Sequence, residues 1–265
     1  HNFSSKTKLS AMIFGLVAER NSLGYRGNPI NLNSSPVAED DYKDQNGDFI
    51  YNRDLIAGVF RNYGTELRLL SRYKLKGTAG VFLLGTKFYK SRNTAKQGPG
   101  SIGIDANFNF NYERYPDYPN QSDFTFPNLN FSLFGENIFF INEKFAVTPG
   151  FRFEHIFTES EGVYSEVLFD IAQNPISNVE QIDDRSFNRS FMLFGLGLSH
   201  TIGPKAEGYA NISQNYRSVT FSDIRTVSPT FIVDPDITDE QGYTVDLGIR
   251  SLTTNTANAI ELAQE

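Results

Sequence analysis

The chain has 265 residues, a formal net charge of −7 and no cysteine; this excludes a disulfide framework or thiolate metal site and argues against nucleic acid as a partner, which calls for a basic surface. Mean hydropathy is −0.36, and no apolar run approaches the roughly 20 residues of a membrane helix. A β-barrel escapes that test because only every second residue of a strand faces lipid, and the 24 Phe and 13 Tyr are suited to such a surface.

The opening residues, His1 to Lys6, lack the basic start and apolar run of a signal peptide. Any export signal is therefore expected to have been removed, or the chain to begin inside a larger protein. Residues 6–20 read as a strand on Leu9, Met12, Phe14, Leu16 and Ala18, and residues 21–54 as a loop carrying Pro29, Pro36 and the acidic run 39–48. From Gly64 to Tyr73, Leu67, Leu69 and Tyr73 alternate with Glu66, Arg68 and Arg72, and Lys74 to Gly77 turns the chain into an apolar strand over Thr78 to Lys90. Residues 91–126 are polar and punctuated by Gly and Pro; within them Ile102 to Tyr112 alternates closely enough to predict a further strand in, or rising into, a long loop. Asn128 to Ile141 is strand-like, and Asn142-Glu143 turns it into the longest period-two run of the chain.

In that run Phe145, Val147, Pro149, Phe151, Phe153 and Phe157 alternate with Ala146, Thr148, Gly150, Arg152, Glu154 and Thr158, Ile156 being the exception. This is a strand with one apolar and one wet face. Residues 159–186 are polar; Phe187 to His200 and Ala206 to Arg217 form strands around the turn 201–205; residues 218–241 are a third long loop. Tyr243, Val245, Leu247 and Ile249 then alternate with Thr244, Asp246, Gly248 and Arg250, and a weak helical period follows over 255–264. Connections thus alternate short and long. That rhythm, with long aromatic-faced strands, predicts an all-β fold, an antiparallel transmembrane β-barrel with short turns on one side of the membrane and long loops on the other.

Three stretches, in order, resemble one family. Phe134-Gly135-Glu136-Asn137-Ile138-Phe139 with Thr148-Pro149-Gly150-Phe151-Arg152-Phe153-Glu154 is similar to a recurrent hairpin of TonB-dependent outer-membrane receptors. Tyr209 to Arg217 with Phe221-Ser222-Asp223-Ile224, and Asp234-Pro235 with Glu240, Gly242 and Asp246 to Arg250, resemble two later strands of those receptors, most like the ferric dicitrate group. Ser218-Val219 stands where the pattern has a proline pair. The resemblance implies a receptor in the cell outer membrane that imports a ferric chelate, a siderophore or ferric citrate, with energy from TonB acting through a plug not in this chain. Such barrels have about 22 strands; about eight or nine candidates are present here, so residues 1–250 read as an internal barrel segment and 251–265 as a tail of uncertain structure. A passive porin-like barrel and a secreted carbohydrate-binding β-sandwich are the alternatives.

Nothing resembles an enzyme: His1, His155 and His200 have no metal-ligand spacing, and no nucleophile-elbow or phosphate-loop motif occurs. No cofactor is implied. His155 falls in register with the apolar face, which suits a membrane-interface or packing role. The acidic runs 39–48 and 234–240 lack calcium-loop spacing and read as solvated loop. Charged residues of the wet faces, Glu66, Arg68, Arg72, Arg152, Glu154, Glu207, Arg217, Asp246 and Arg250, would face the lumen and pair with one another or with the plug. Arginine also grips carboxylates bidentately, so Arg217, Arg114 and Arg225 are candidates for binding an anionic chelate. Tyr115 and Tyr118, beside Arg114, would stack against a flat ligand or simply pack the loop.

Overall fold

The computed structural model describes residues 2–4, 6–24, 45, 52–75, 77–102, 105–119, 121–172, 174–220, 234 and 236–251. Among these, every regular element is a strand: β1 (Asn2–Ser4), β2 (Thr7–Gly24), β3 (Asn52–Leu75), β4 (Thr78–Ile102), β5 (Ser122–Phe140), β6 (Phe145–Phe169), β7 (Pro175–Ile182), β8 (Arg185–Gly203), β9 (Ala206–Arg217) and β10 (Glu240–Ser251). All pairings are antiparallel, in the order β1-β2-β3-β4-β5-β6-β8-β9-β10, with β7 also pairing to β6. The described strands make one open sheet rather than two packed layers, which sets aside the β-sandwich alternative.

Register assigns the faces. Arg68, Gly85, Phe134, Arg152 and Leu193 stand opposite one another across β3, β4, β5, β6 and β8, and so share one face. Leu67, Thr86, Leu133, Phe153 and Met192, one residue along, share the other. On the first face of β6, Glu154, Ile156, Thr158 and Ser160 are all buried. On the second, large apolar side chains lie open: Phe194 is 57% exposed, Leu247 72% and Ile249 74%. A protein in water buries the opposite set. Covered polar groups inside and bare hydrocarbon outside are what a lipid-embedded barrel wall requires. The apolar face of residues 145–157 rises about 40 Å along the strand, or about 28 Å at a ~45° tilt, close to the ~25 Å lipid-facing band of such barrels.

The short turns β3–β4, β5–β6 and β8–β9 lie at one end, and the short β6–β7 turn lies at the other. Gly77 takes a φ of 89° in the β3–β4 turn, a left-handed conformation that glycine adopts without steric cost. In the β5–β6 turn the Asn142 side chain accepts hydrogen bonds from the amides of Lys144 and Phe145, both at 2.9 Å, a local bond that competes with strand continuation. At the long-loop end the strands run on beyond the apolar band, and there apolar side chains are covered on both faces: Leu55 and Phe124 are fully buried and Phe126 and Val167 nearly so, with Phe124 and Phe126 stacked.

The extent of the strands departs from expectation. β3 starts at Asn52 rather than Gly64, β4 continues through the polar stretch to Ile102, and residues 159–186 hold the end of β6 and all of β7. These segments stand clear of lipid, so neither face is uniformly apolar and the alternation fades while the ladder persists. The strand expected over 102–112 is not formed: Ile102 ends β4 and residues 105–111 are irregular. The Asn107 side chain takes the Asn109 amide at 3.0 Å, an Asx-type bond that bends the chain. Phe110 and Tyr112 stack on each other and lie over Gly98, finding cover without a sheet. The tail expected to be weakly helical, 255–264, lies outside the described residues.

Candidate functional site

The inner face carries two polar clusters at different heights. In the lower, Arg68 and Arg152 each place a guanidinium near the Phe134 ring, 5.9 and 5.5 Å from its centroid. Phe134 lies over Gly85, where any side chain would collide with the ring. Each guanidinium pairs with the glutamate two residues away on its own strand, Arg68 with Glu66 and Arg152 with Glu154. Ser132, fully buried, donates to Glu154 Oε2 at 2.8 Å and accepts from Arg152 at 3.2 Å. Period two puts both members of each pair on one face, so the lumen lining expected of these charges is formed.

The higher cluster was not visible in the sequence. Thr158 Oγ1 accepts from Asn128 at 3.0 Å and from Arg189 at 2.7 Å. Arg189 also donates to Asp239 at 3.0 Å, and Asp239 takes the Val219 amide at 2.8 Å and the Tyr216 hydroxyl. Tyr216 stacks on Phe191 with ring centres 3.6 Å apart. The ladder ties both ends of the β9–β10 connection to the inner wall of β5, β6 and β8, and Val219 is buried there at 5% exposure. Beside it opens a cavity of about 200 Å³, lined by Tyr89, Ser91, Asn93, Phe126, Asn128 and Thr158, among others, and edged by residues 218–220. Arg189 escaped notice because it shares its face of β8 with Phe187, Phe191 and Leu193; strict parity with Arg152 through the β6–β8 register would have exposed it.

The expected ligand residues are not gathered into one pocket. Arg114 is exposed, its guanidinium 5.8 Å from the Tyr115 ring centre. Tyr115 and Tyr118 are half-buried; the Tyr118 hydroxyl donates to Asp54 at 2.9 Å, anchoring the β4–β5 connection to the start of β3. Arg217 pairs with Glu240 across β9 and β10 at 2.8 Å. The β4–β5 connection and β9 are separated by β5, β6 and β8, roughly 20 Å at about 4.8 Å per strand. Arg225 lies outside the described residues. A second cavity of about 300 Å³ sits by the β4–β5 connection, lined in part by Lys96, Tyr112, Asp123 and Tyr164. Partial desolvation of this surface tyrosine, with the Asp123 carboxylate nearby, pushes the Tyr112 phenol up to about 12. His155 faces outward with Phe131 and meets Ser190 Oγ at 2.8 Å, a packing position rather than a ligand site.

Residues 5–263 match the family model described as TonB dependent receptor-like, beta-barrel. No curated protein sequence matches the chain. Among solved structures, the ferric-catecholate import receptor Fiu from E. coli K12, in its closed form, superposes with a TM-score of 0.63 at 12% identity over 96% of this chain and 37% of that one. The ferric citrate transporter FecA, unliganded, gives 0.60 at 15% identity over 94% and 30%, and the copper transporter OprC 0.59 at 14% over 96% and 36%. The chain therefore spans about a third of the length of these structures, in accord with an open sheet that is part of a larger barrel. These neighbours are receptors and transporters rather than enzymes. The chain belongs to the TonB-dependent receptor family, as a segment of its outer-membrane β-barrel domain.

Proposed function

We propose that the complete receptor imports a ferric chelate across the outer membrane with energy delivered through TonB. The observation that carries this reading is the inside-out wall: a bare apolar exterior around a lining of paired charges and hydrogen-bonding cavities that rises to long loops. A transporter needs such a path, and the likeness of fold to a ferric-catecholate import receptor and a ferric citrate transporter supports iron as the cargo. The plug that TonB would pull, and the lipid around the wall, complete the set of proposed partners.

In the proposed binding region the β4–β5 connection offers Arg114 stacked with Tyr115 and the anchored Tyr118; the β9–β10 side offers Arg217, paired to Glu240, and Arg225. The test is uptake of radiolabelled iron by the full-length receptor in an iron-starved host stripped of its own chelate receptors, with and without TonB. Uptake that requires TonB is expected. Uptake that is undiminished without TonB would establish a passive, porin-like barrel instead. Arg114→Ala should weaken chelate binding about three- to tenfold through loss of one hydrogen-bonding contact; unchanged affinity removes Arg114 from the site.

A further inference from the structure

We infer that the chelate this receptor takes carries no net negative charge, and that it seats an uncharged, amide- or hydroxyl-bearing edge in the cavity between β4, β5 and β6; this rests on the import reading above. Two independent observations meet here. The first is charge. Among the described residues, the four long connections, 25–51, 103–121, 170–184 and 218–239, hold ten carboxylates and one basic side chain, a surplus of nine negative charges. The described part of the loop end is thus acidic. Five basic groups at the strand ends beneath it are paired: Arg53 with Asp105 at 2.7 Å, Lys96 with Asp123 at 2.6 Å, Arg185 with Asp183 at 2.7 Å, Arg189 with Asp239 at 3.0 Å and Arg217 with Glu240 at 2.8 Å; three of these partners belong to that surplus, which leaves six negative charges. A mouth of one sign changes the on-rate of a charged ligand by about 10- to 1,000-fold, and the share of the mouth that this segment supplies repels polyanions.

The second observation is the chemistry of the cavity. Ser91, Asn93, Asn128, Thr158, Ser218 and Thr220 supply its polar groups, and Tyr89 and Phe126 its rings. None is ionised, and Arg189, which donates to Thr158 of the lining, also donates to Asp239. Hydroxyls and amides beside ring faces match a ligand edge that both donates and accepts hydrogen bonds; a carboxylate or catecholate edge there would be desolvated without a countercharge. Ferric iron bound by three singly charged hydroxamates is neutral and presents amide groups, whereas tris-catecholate and citrate complexes are polyanions. The uncharged class fits both the mouth and the cavity.

The test uses the purified full-length receptor, titrated by tyrosine fluorescence quenching with ferrichrome, an uncharged ferric trihydroxamate, and with ferric dicitrate and ferric enterobactin as polyanions, at low and high salt. Ferrichrome is expected to bind at least tenfold tighter than either polyanion, with affinity indifferent to salt, while residual polyanion binding strengthens as salt screens the mouth. Ser91→Leu and Asn128→Leu, which fill the cavity, are expected to weaken ferrichrome at least tenfold in protein that retains its heat-modifiable mobility. Tighter binding of a polyanion, weakening with salt, overturns the inference, as does unchanged ferrichrome affinity in both folded variants. Should neither variant fold, the wild-type preference and its salt dependence still decide. Failure of all three chelates to bind overturns the import reading itself, an outcome distinct from a preference for polyanions.

Discussion

Glu154 and Glu240 each pair with an arginine, yet their surroundings give the two pairs different weight. Arg152 and Glu154 are 43% and 7% exposed, Arg217 and Glu240 57% and 69%. Glu154→Gln leaves Arg152 facing a neutral amide and disturbs buried Ser132, and is expected to cost about 1.5–3 kcal/mol, the range for a hydrogen bond to a charged group. Glu240→Gln breaks a solvated pair and should cost below about 0.5 kcal/mol. Urea unfolding of the full-length receptor in detergent, followed by heat-modifiable mobility, checks both; equal costs would show that burial does not separate the pairs. Sequence spacing alone put Arg152 and Glu154 on one face. It did not reveal Glu240 as the partner of Arg217, because cross-strand register depends on where the 218–239 connection lets β10 begin.

At the scale of the element, the hairpin β6–β7 shows where the sequence ran out. Residues 145–158 were legible because lipid on one face and a polar lumen on the other enforce alternation. Beyond Thr158 water meets both faces, the pattern dissolves, and Pro175–Ile182 read as loop although it pairs with β6. The converse error, 102–112, had the alternation without a partner strand. What closes the hairpin is Asp170, which accepts from the Asn174 amide at 2.8 Å and from its side chain at 3.1 Å. Those bonds, the backbone one foremost, hold the Asp170 carboxyl below its ordinary range. A depressed acid stabilises above its unfolded-state pKa of about 3.9 and loses that contribution as pH falls through the lower folded value. Hydrogen exchange at the Asn174 amide, corrected for intrinsic pH dependence, should therefore show protection falling as pH drops below about 4. In Asp170→Ala the protection should be low throughout. A wild-type turn equally protected across that range would remove the carboxylate from its closure.

For the molecule as a whole, one distribution governs the rest: apolar side chains bare on the outside, polar ones covered within, and sheet edges at β1–β2 and β10 left for further strands of a barrel. An open edge cannot persist in hydrocarbon, where unpaired backbone groups cost several kcal/mol each, so this wall is stable only with its neighbours. The faces themselves are testable by one substitution placed on each side. Phe194 points outward in line with Phe151, and Asn211 points inward opposite Gly197 and Asp246. In the full-length receptor folded into lipid vesicles, Phe194→Arg should cost about 2–4 kcal/mol, the penalty for a cation on the lipid face near the bilayer midplane. Asn211→Arg, entering a hydrated lining with Asp246 opposite, should stay within about 0.5 kcal/mol of the parent. Comparable costs at the two sites, or the larger cost at Asn211, would mean that the Phe-rich face packs against protein and that lipid is not its solvent.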